Sequence, residues 1–186
     1  ELITRYEVGC VLMPDYEEDS EPYLALMRAL SETGTESRRL RKAFVFSLGG
    51  ADFYVDAPRE IAYENDNNYS LITCVRNGAN RFLLMGDAKK QRTGEFLETE
   101  AAKEQYDLIK MPHHGNYTKN LETLFETARP RYAVLTADTE RLRVEEETVA
   151  LLNAYDCKAY YTDEGAVTAV SDGKHVRVEQ ADAGKD

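Results

Sequence analysis

Leu108-Ile109-Lys110-Met111-Pro112-His113-His114-Gly115 is an apolar run that ends abruptly in two adjacent imidazoles. A short apolar segment closed by Pro and Gly reads as a buried strand followed by a sharp turn. Upstream, Phe82-Leu83-Leu84-Met85-Gly86-Asp87 has the same form, an apolar strand that delivers a carboxylate at its end. Two such strands in one sheet bring their polar ends to a common rigid edge, which is where side chains in sheet proteins converge on a site. This pairing decides the reading of the fold.

The chemistry of the two ends is compatible. A carboxylate and neutral imidazoles suit zinc or manganese, with His nitrogen about 2.0–2.1 Å from zinc. One Asp, having two oxygens, can bridge two ions about 3.5–4 Å apart. Gly86 and Gly115 let the backbone pass close to a crowded centre. The residues alone also admit a plainer reading, in which Gly86-Asp87 is a turn and His113-His114 a loop surface. Asp87, His113 and His114 are therefore the candidate ligands and catalytic groups.

Outward from these strands, Tyr69–Val75 reads as a strand, Asn77-Gly78 as a tight turn and Arg81–Met85 as the returning strand. Earlier still, Tyr6–Met13 reads as a buried strand, and Pro22 to Gly34 brackets a helix. The basic run Arg38–Lys42 reads as a solvated edge, and Gly49-Gly50 joins strands Phe44–Leu48 and Phe53–Val55 as a hairpin. Downstream, a helix is expected over Glu95–Gln105. Helices follow over Leu121–Ala128 and Val144–Tyr155, alternating with strands Tyr132–Thr136 and Lys158–Tyr161. A last hairpin spans Ala166–Val178 around Asp172-Gly173. Hairpins followed by strand–helix alternation predict an α/β fold, a mixed sheet with helices on one face. The expected organisation is one domain over residues 1–180 and a frayed tail over 181–186.

Composition narrows the function. The chain of 186 residues is long enough for one domain with a sizeable core. A formal charge of −11 opposes a general nucleic-acid-coating role, which needs a basic face. It does not oppose a phosphate-ester substrate, since bound divalent ions reverse the local sign. No apolar run is long enough to span a bilayer, and a soluble protein of undetermined compartment is expected. Cys10, Cys74 and Cys157 are three widely spaced cysteines beside apolar stretches, read as reduced core thiols, and no CxxC pair offers a zinc ribbon.

The ordered blocks Asn67-Asn68-Tyr69-Ser70-Leu71, Leu84-Met85-Gly86-Asp87 and Asp107 through Gly115 resemble the ComEC-like branch of the metallo-β-lactamase superfamily, the hydrolase domain of DNA-uptake proteins. Arg129–Leu135 and Tyr161–Val167 resemble that family's ending. The resemblance implies an αββα sandwich with a divalent metal pair, zinc or manganese, at one sheet edge. It matches Asp87 to the bridging carboxylate and His113 or His114 to a ligand or neighbouring proton donor. Asn67 or Asn68 falls near a position that other branches give to a histidine ligand. With Gly86, Gly115 and Asn116, these two asparagines form the surroundings of the ligands.

Departures accompany the match. The superfamily's His-x-His-x-Asp-His motif is absent, since the three histidines are His113, His114 and His175. The chain is accordingly expected to be the carboxy-terminal half of the sandwich, with the amino-terminal half as its structural partner and metal weakly held or absent without it. A histidine usual before the last long helix is missing from Thr139–Val144, and Asn116 stands where Ser is common. His175 is expected at the surface. The function implied is metal-assisted hydrolysis of a phosphodiester, DNA among the candidates. The rival is a binding or scaffold domain that keeps the fold without metals.

Overall fold

The computed structural model describes residues 1–136 and 144–182. Its centre is one seven-stranded sheet. The strands run β3 (Phe44–Leu48), β4 (Ala51–Asp56), β5 (Ile72–Asn77), β6 (Asn80–Leu84), β7 (Leu108–Lys110), β8 (Tyr132–Leu135) and β9 (Lys158–Tyr161), side by side in sequence order. The first four pair antiparallel and the last four parallel, with β6 belonging to both sets. Tight turns join β3 to β4 and β5 to β6, and a loop over residues 57–71 joins β4 to β5; the parallel half needs helical crossovers.

Those crossovers supply α3 (Lys90–Leu97), α4 (Lys119–Ala128) and α5 (Glu146–Ala154). All three pack on one face of the sheet, α4 and α5 largely through apolar side chains and α3 through Phe96. Register puts Cys74, Leu83, Ile109, Ala133 and Ala159 in one row across that face. Phe96, Leu121, Leu124, Phe125 and Leu152 close over it, forming one continuous core with Ile72, Met85, Met111 and Leu135. Each large side chain withdrawn from water there contributes about 1.5–3 kcal/mol.

The opposite face carries Val75, Phe82, Leu108 and Tyr132 in one row and Thr73, Leu84, Lys110 and Val134 in the next. That face is covered unevenly: Leu108 and Tyr160 are buried, the Tyr160 hydroxyl donating to the Val178 carbonyl at 3.4 Å, whereas Leu84 is 40% exposed. A small parallel pair, β1 (Cys10–Pro14) and β2 (Glu36–Leu40), packs Leu12 and Leu40 near Val55 and Phe44. A terminal hairpin, β10 (Val167–Ser171) and β11 (Val176–Gln180), docks on the β5–β6 turn, where the Ala79 N–H donates to the Gly173 carbonyl at 2.8 Å. A Cβ on Gly78, with φ of +58°, would meet that carbonyl oxygen at 2.4 Å, so only glycine allows the approach.

Several expectations change. Residues 6–9 are not strand; β1 begins at Cys10, after a single helical turn, α1 (Leu2–Arg5), and most of β1 is not buried. Cys10, at the start of β1, is exposed, whereas Cys74 is partly buried and Cys157 buried. Burial pushes both of the latter thiols up to about 12. The basic run is largely strand β2, its arginines paired with Glu36, Glu17 and Asp15. The helix α2 (Glu21–Thr33) is bracketed by the Ser20 side chain and by Gly34 in the left-handed region.

The helix expected over Glu95–Gln105 lies earlier, at α3. The Thr99 hydroxyl ends it by donating to the Phe96 carbonyl at 2.8 Å and accepting from the Ala102 N–H at 3.2 Å. The strand expected from Tyr69 starts at Ile72, because Asp66–Tyr69 forms a 3₁₀ turn. The stretch 139–143, where the family pattern has a histidine, lies outside the described residues, as do residues 183–186. Among the described residues, no helix is long and apolar enough to cross a membrane.

Candidate metal centre

Asp87 follows β6, and the two histidines follow β7, its parallel neighbour. The register Leu84↔Lys110 brings both polar ends to the same sheet edge. There the Gly86 carbonyl is the joint, accepting from the His113 N–H at 3.3 Å and from Lys110 Nζ at 2.8 Å.

The histidine turn is strained. His113 (φ 43°) and His114 (φ 61°) both adopt left-handed backbone, and Gly115 follows at φ 95°. Two consecutive non-glycine residues in this region cost about 1–3 kcal/mol each and persist only where surroundings enforce them. The enforcement is visible. Met111 N–H binds the Val134 carbonyl at 2.9 Å, and the Thr148 hydroxyl donates to the Gly115 carbonyl at 2.7 Å. A Cβ on Gly115 would lie 2.6 Å from Leu135 Cδ2, so the turn is sealed against β8.

The strain aims the rings. His114 Nδ1 lies 2.8 Å from the Thr136 carbonyl oxygen, which can only accept, so Nδ1 carries the hydrogen. The other nitrogen, Nε2, faces Asp87 Oδ2 at 3.5 Å. With Nδ1 protonated, a neutral ring presents a lone pair to a carboxylate. Two acceptors facing each other repel unless a cation, whether a proton or a metal ion, stands between them. A backbone carbonyl that fixes the tautomer while the far nitrogen is offered to a cation is the usual support of a metal-binding histidine.

His113 is placed differently. Its ring centroid is 5.8 Å from that of His114, and its Nδ1 is buried with no hydrogen-bond partner among the described residues. Burial holds this imidazole below its ordinary range, and the positive charge of Lys89 adds to the effect, so it favours the neutral, ligand-competent form. Asp87 and His114 therefore converge, with His113 beside them carrying an unsatisfied nitrogen. No group of three or more His, Cys, Asp or Glu side chains able to hold a metal forms among the described residues. The donors fit one side of a cation site and do not close it. Equilibrium dialysis of the 186-residue chain against zinc or manganese is accordingly expected to show weak binding or none; two tightly held equivalents would contradict this.

The asparagines serve other ends. The Asn68 side-chain oxygen accepts from the Arg92 N–H at 3.2 Å, and Asn67 contributes its carbonyl to the turn before Ser70. Asn116 closes the histidine turn through its N–H. His175 is exposed beside Asp172 in the last hairpin. Sequence reasoning missed three contacts of the site: Ser70, whose hydroxyl accepts from the Asp87 N–H at 3.1 Å, Thr136, and Lys110, whose Nζ lies 3.3 Å from Asp87 Oδ1. Lys110 had a signal, being the one charged residue inside an apolar strand that ends at the site. A cavity of about 920 Å³ between the β3–β5 strands and Tyr106 is lined by none of these residues. The centre is instead an open edge, with Asp87 39% and His114 33% exposed.

Comparison with known proteins gives a likeness of fold. No family model matches the chain. Over 88 residues it is 30% identical to Recombination protein 2 of Haemophilus influenzae, covering 47% of this chain and 11% of that protein. Over 165 residues it is 21% identical to ComE operon protein 3 of Bacillus subtilis, covering 88% of this chain and 21% of that protein. The chain thus spans about a fifth or less of the length of these curated relatives. Among solved structures, a CmlA β-hydroxylase mutant superposes with a TM-score of 0.52 at 12% identity, covering 94% of this chain and 40% of that one. A metallo hydrolase from Ignicoccus hospitalis, Igni18, gives 0.47 at 12% identity, covering 96% and 82%. The chain has an α/β fold of the metallo-β-lactamase type, its large mixed sheet flanked by helices.

Proposed function

We propose that this chain carries part of the active site of a metal-dependent phosphodiesterase, with nucleic acid strands as the leading substrate class. The observation that supports it is the facing pair Asp87 Oδ2 and His114 Nε2 at 3.5 Å, with the far side of the imidazole committed to Thr136. The left-handed His113-His114 backbone, held against β8, brings the ring of His114 to that edge. The resemblance to hydrolase domains of DNA-uptake proteins supplies the reaction class.

In this reading Asp87 and His114 hold a divalent cation, with His113 as a further ligand or as the group that protonates the leaving oxygen. When bound, the cation supplies a hydroxide near neutral pH and offsets charge on the phosphoryl oxygens. The protein's own contribution is positional. Thr136 fixes the His114 tautomer, Ser70 fixes the Asp87 backbone, and the Gly86 carbonyl ties the two turns together. The remaining ligands come from a second layer, the amino-terminal half of the sandwich. It would cover the part of the sheet around Leu84, which is 40% exposed.

A second reading, a scaffold domain without metal, is favoured by the incomplete donor set. The test is hydrolysis of bis(4-nitrophenyl) phosphate and of single- and double-stranded DNA by the full natural polypeptide carrying this sequence, with added manganese or zinc. Turnover that chelators abolish is expected. A polypeptide that shows no phosphodiester turnover under any metal would leave the scaffold reading in its place.

A further inference from the structure

Two helices begin beside the candidate centre, and both begin against the usual rule. A helix start is normally capped by the side chain of Ser, Thr, Asp or Asn, and acids are favoured in its first turn. Helix α3 has Lys89 at the capping position, followed by Lys90 and Gln91, with no acid in its first turn. A lysine has no acceptor with which to cap. Helix α4 has Thr118 at that position and Lys119 next. The Thr118 hydroxyl makes no cap bond and is buried without a hydrogen-bond partner among the described residues. Breaks of local rule of this kind gather at functional sites.

The two starts lie side by side. Asn120 Nδ2 donates to the Lys90 carbonyl at 2.7 Å, and a Cβ on Gly94 would come within 3.2 Å of the same nitrogen. They border a hollow of about 580 Å³ lined by Asn68, Lys89, Lys90, Gln91 and Asn120. Its acids are Glu60, Glu95 and Glu98. Two of these are already engaged, Glu95 by the Tyr63 hydroxyl at 2.6 Å and by Arg92, and Glu98 by Arg59 at 2.6 Å. Lys89, Lys90 and Lys119 pair with no carboxylate among the described residues, although the chain as a whole carries a charge of −11. Lys89 is partly buried all the same. Only Ala88 separates it from Asp87, which holds their Cα atoms within about 7–8 Å of each other. Its charge also reaches the His113 imidazole.

We propose that Lys89, Lys90 and Lys119 form a subsite for the phosphate that neighbours the scissile one along a nucleic acid strand. This rests on the reading of the centre as a phosphodiesterase, and it names what would separate a strand from a simple ester. A lysine ammonium is a mobile point charge that suits a phosphate without reading a base. The subsite therefore favours a polyanion of any sequence. It also gives an acidic chain a local cationic approach to its centre. Lys90 and Lys119 are exposed, so the contact weakens with salt.

The test uses the full natural polypeptide with added manganese. Its substrates are the 4-nitrophenyl esters of thymidine 5′-phosphate and of thymidine 3′-phosphate, each with and without a phosphate on the other sugar hydroxyl. The readout is the ratio of kcat/KM between the doubly and singly phosphorylated forms, which partial unfolding of a variant leaves unchanged. The wild type is expected to prefer one doubly phosphorylated ester by on the order of tenfold, the worth of one charge-assisted hydrogen bond. Replacing the three lysines together by Gln should bring that ratio to about one, and replacing them by Arg should keep it. Wild-type ratios of one for both esters would overturn the inference and leave the phosphodiesterase reading intact, and this result needs no variant to fold. A Gln variant that keeps the preference would also overturn it. Absence of turnover of all four esters would remove the phosphodiesterase reading and the inference with it.

Discussion

Asp87→Ala is expected to abolish phosphodiester hydrolysis by the full polypeptide while leaving its melting temperature nearly unchanged. Losing a hydrogen-bond partner of a metal ligand typically costs about 10–100-fold in affinity or activity, and losing the carboxylate itself should cost more. The side chain lies at a strand end and is 39% exposed, so it contributes little to packing. Its backbone N–H still reaches the Ser70 hydroxyl, and Lys110 keeps the Gly86 carbonyl, so the local hydrogen bonds survive the change. A shift within about 1 kcal/mol is therefore anticipated, as for partly exposed ion pairs. Hydrolysis of a model phosphodiester with added manganese or zinc, beside thermal melting, reads both effects. Retained turnover would reduce Gly86-Asp87 to a turn.

Arg92→Met should do the reverse, unfolding the protein early without touching a ligand. The Arg92 guanidinium is fully buried. It donates to the Asp56 carboxylate at 2.8 Å, to the Asp56 carbonyl at 2.8 Å and to the Ser70 carbonyl at 2.9 Å, and it lies 3.4 Å from Glu95. One side chain thus ties the end of β4, the loop before β5 and helix α3 together. Removing one partner of a buried ion pair leaves the other charge uncompensated, a loss of about 3–5 kcal/mol. For a chain of this length that corresponds to a fall in Tm on the order of 10 °C. The double variant Asp56→Leu with Arg92→Met removes both charges and should recover part of the loss. A double variant less stable than the single by the full cost of Asp56→Leu alone would mean the two residues act independently.

How far the sequence discloses this protein differs between scaffold and site. The antiparallel strands are legible because their turns are written in Gly49-Gly50 and Asn77-Gly78, and the parallel ones because short apolar runs alternate with helical spacing. Strand β2 is not legible, since Glu36-Ser37-Arg38-Arg39-Leu40 has no apolar alternation; it lies in a two-stranded sheet where most side chains face water. The start of α3 is hidden for the opposite reason. Its fully buried residues include Arg92 and Thr93, so the stripe that faces the core is not apolar in composition. In the candidate site, Asp87, His113 and His114 could be named from their place at strand ends, without telling the two histidines apart. Lys110, Ser70 and Thr136 could not be given roles, because their contacts depend on which strands are neighbours and in what register.

The change from antiparallel to parallel pairing at β6 also predicts an order of assembly for the centre. Strands β3 to β6 meet through tight turns or, between β4 and β5, one loop. The β6–β7 pair closes only after the chain has travelled from Leu84 to Leu108 through α3. Closing longer loops costs more chain entropy and slows folding. The carboxylate of Asp87 is accordingly expected on an existing edge before the imidazoles arrive, an order that pulsed hydrogen exchange during refolding would check. The left-handed turn at His113-His114 closes onto the Gly86 carbonyl as the segment docks. The two consecutive left-handed histidines are thus expected to form late, against an edge already paired.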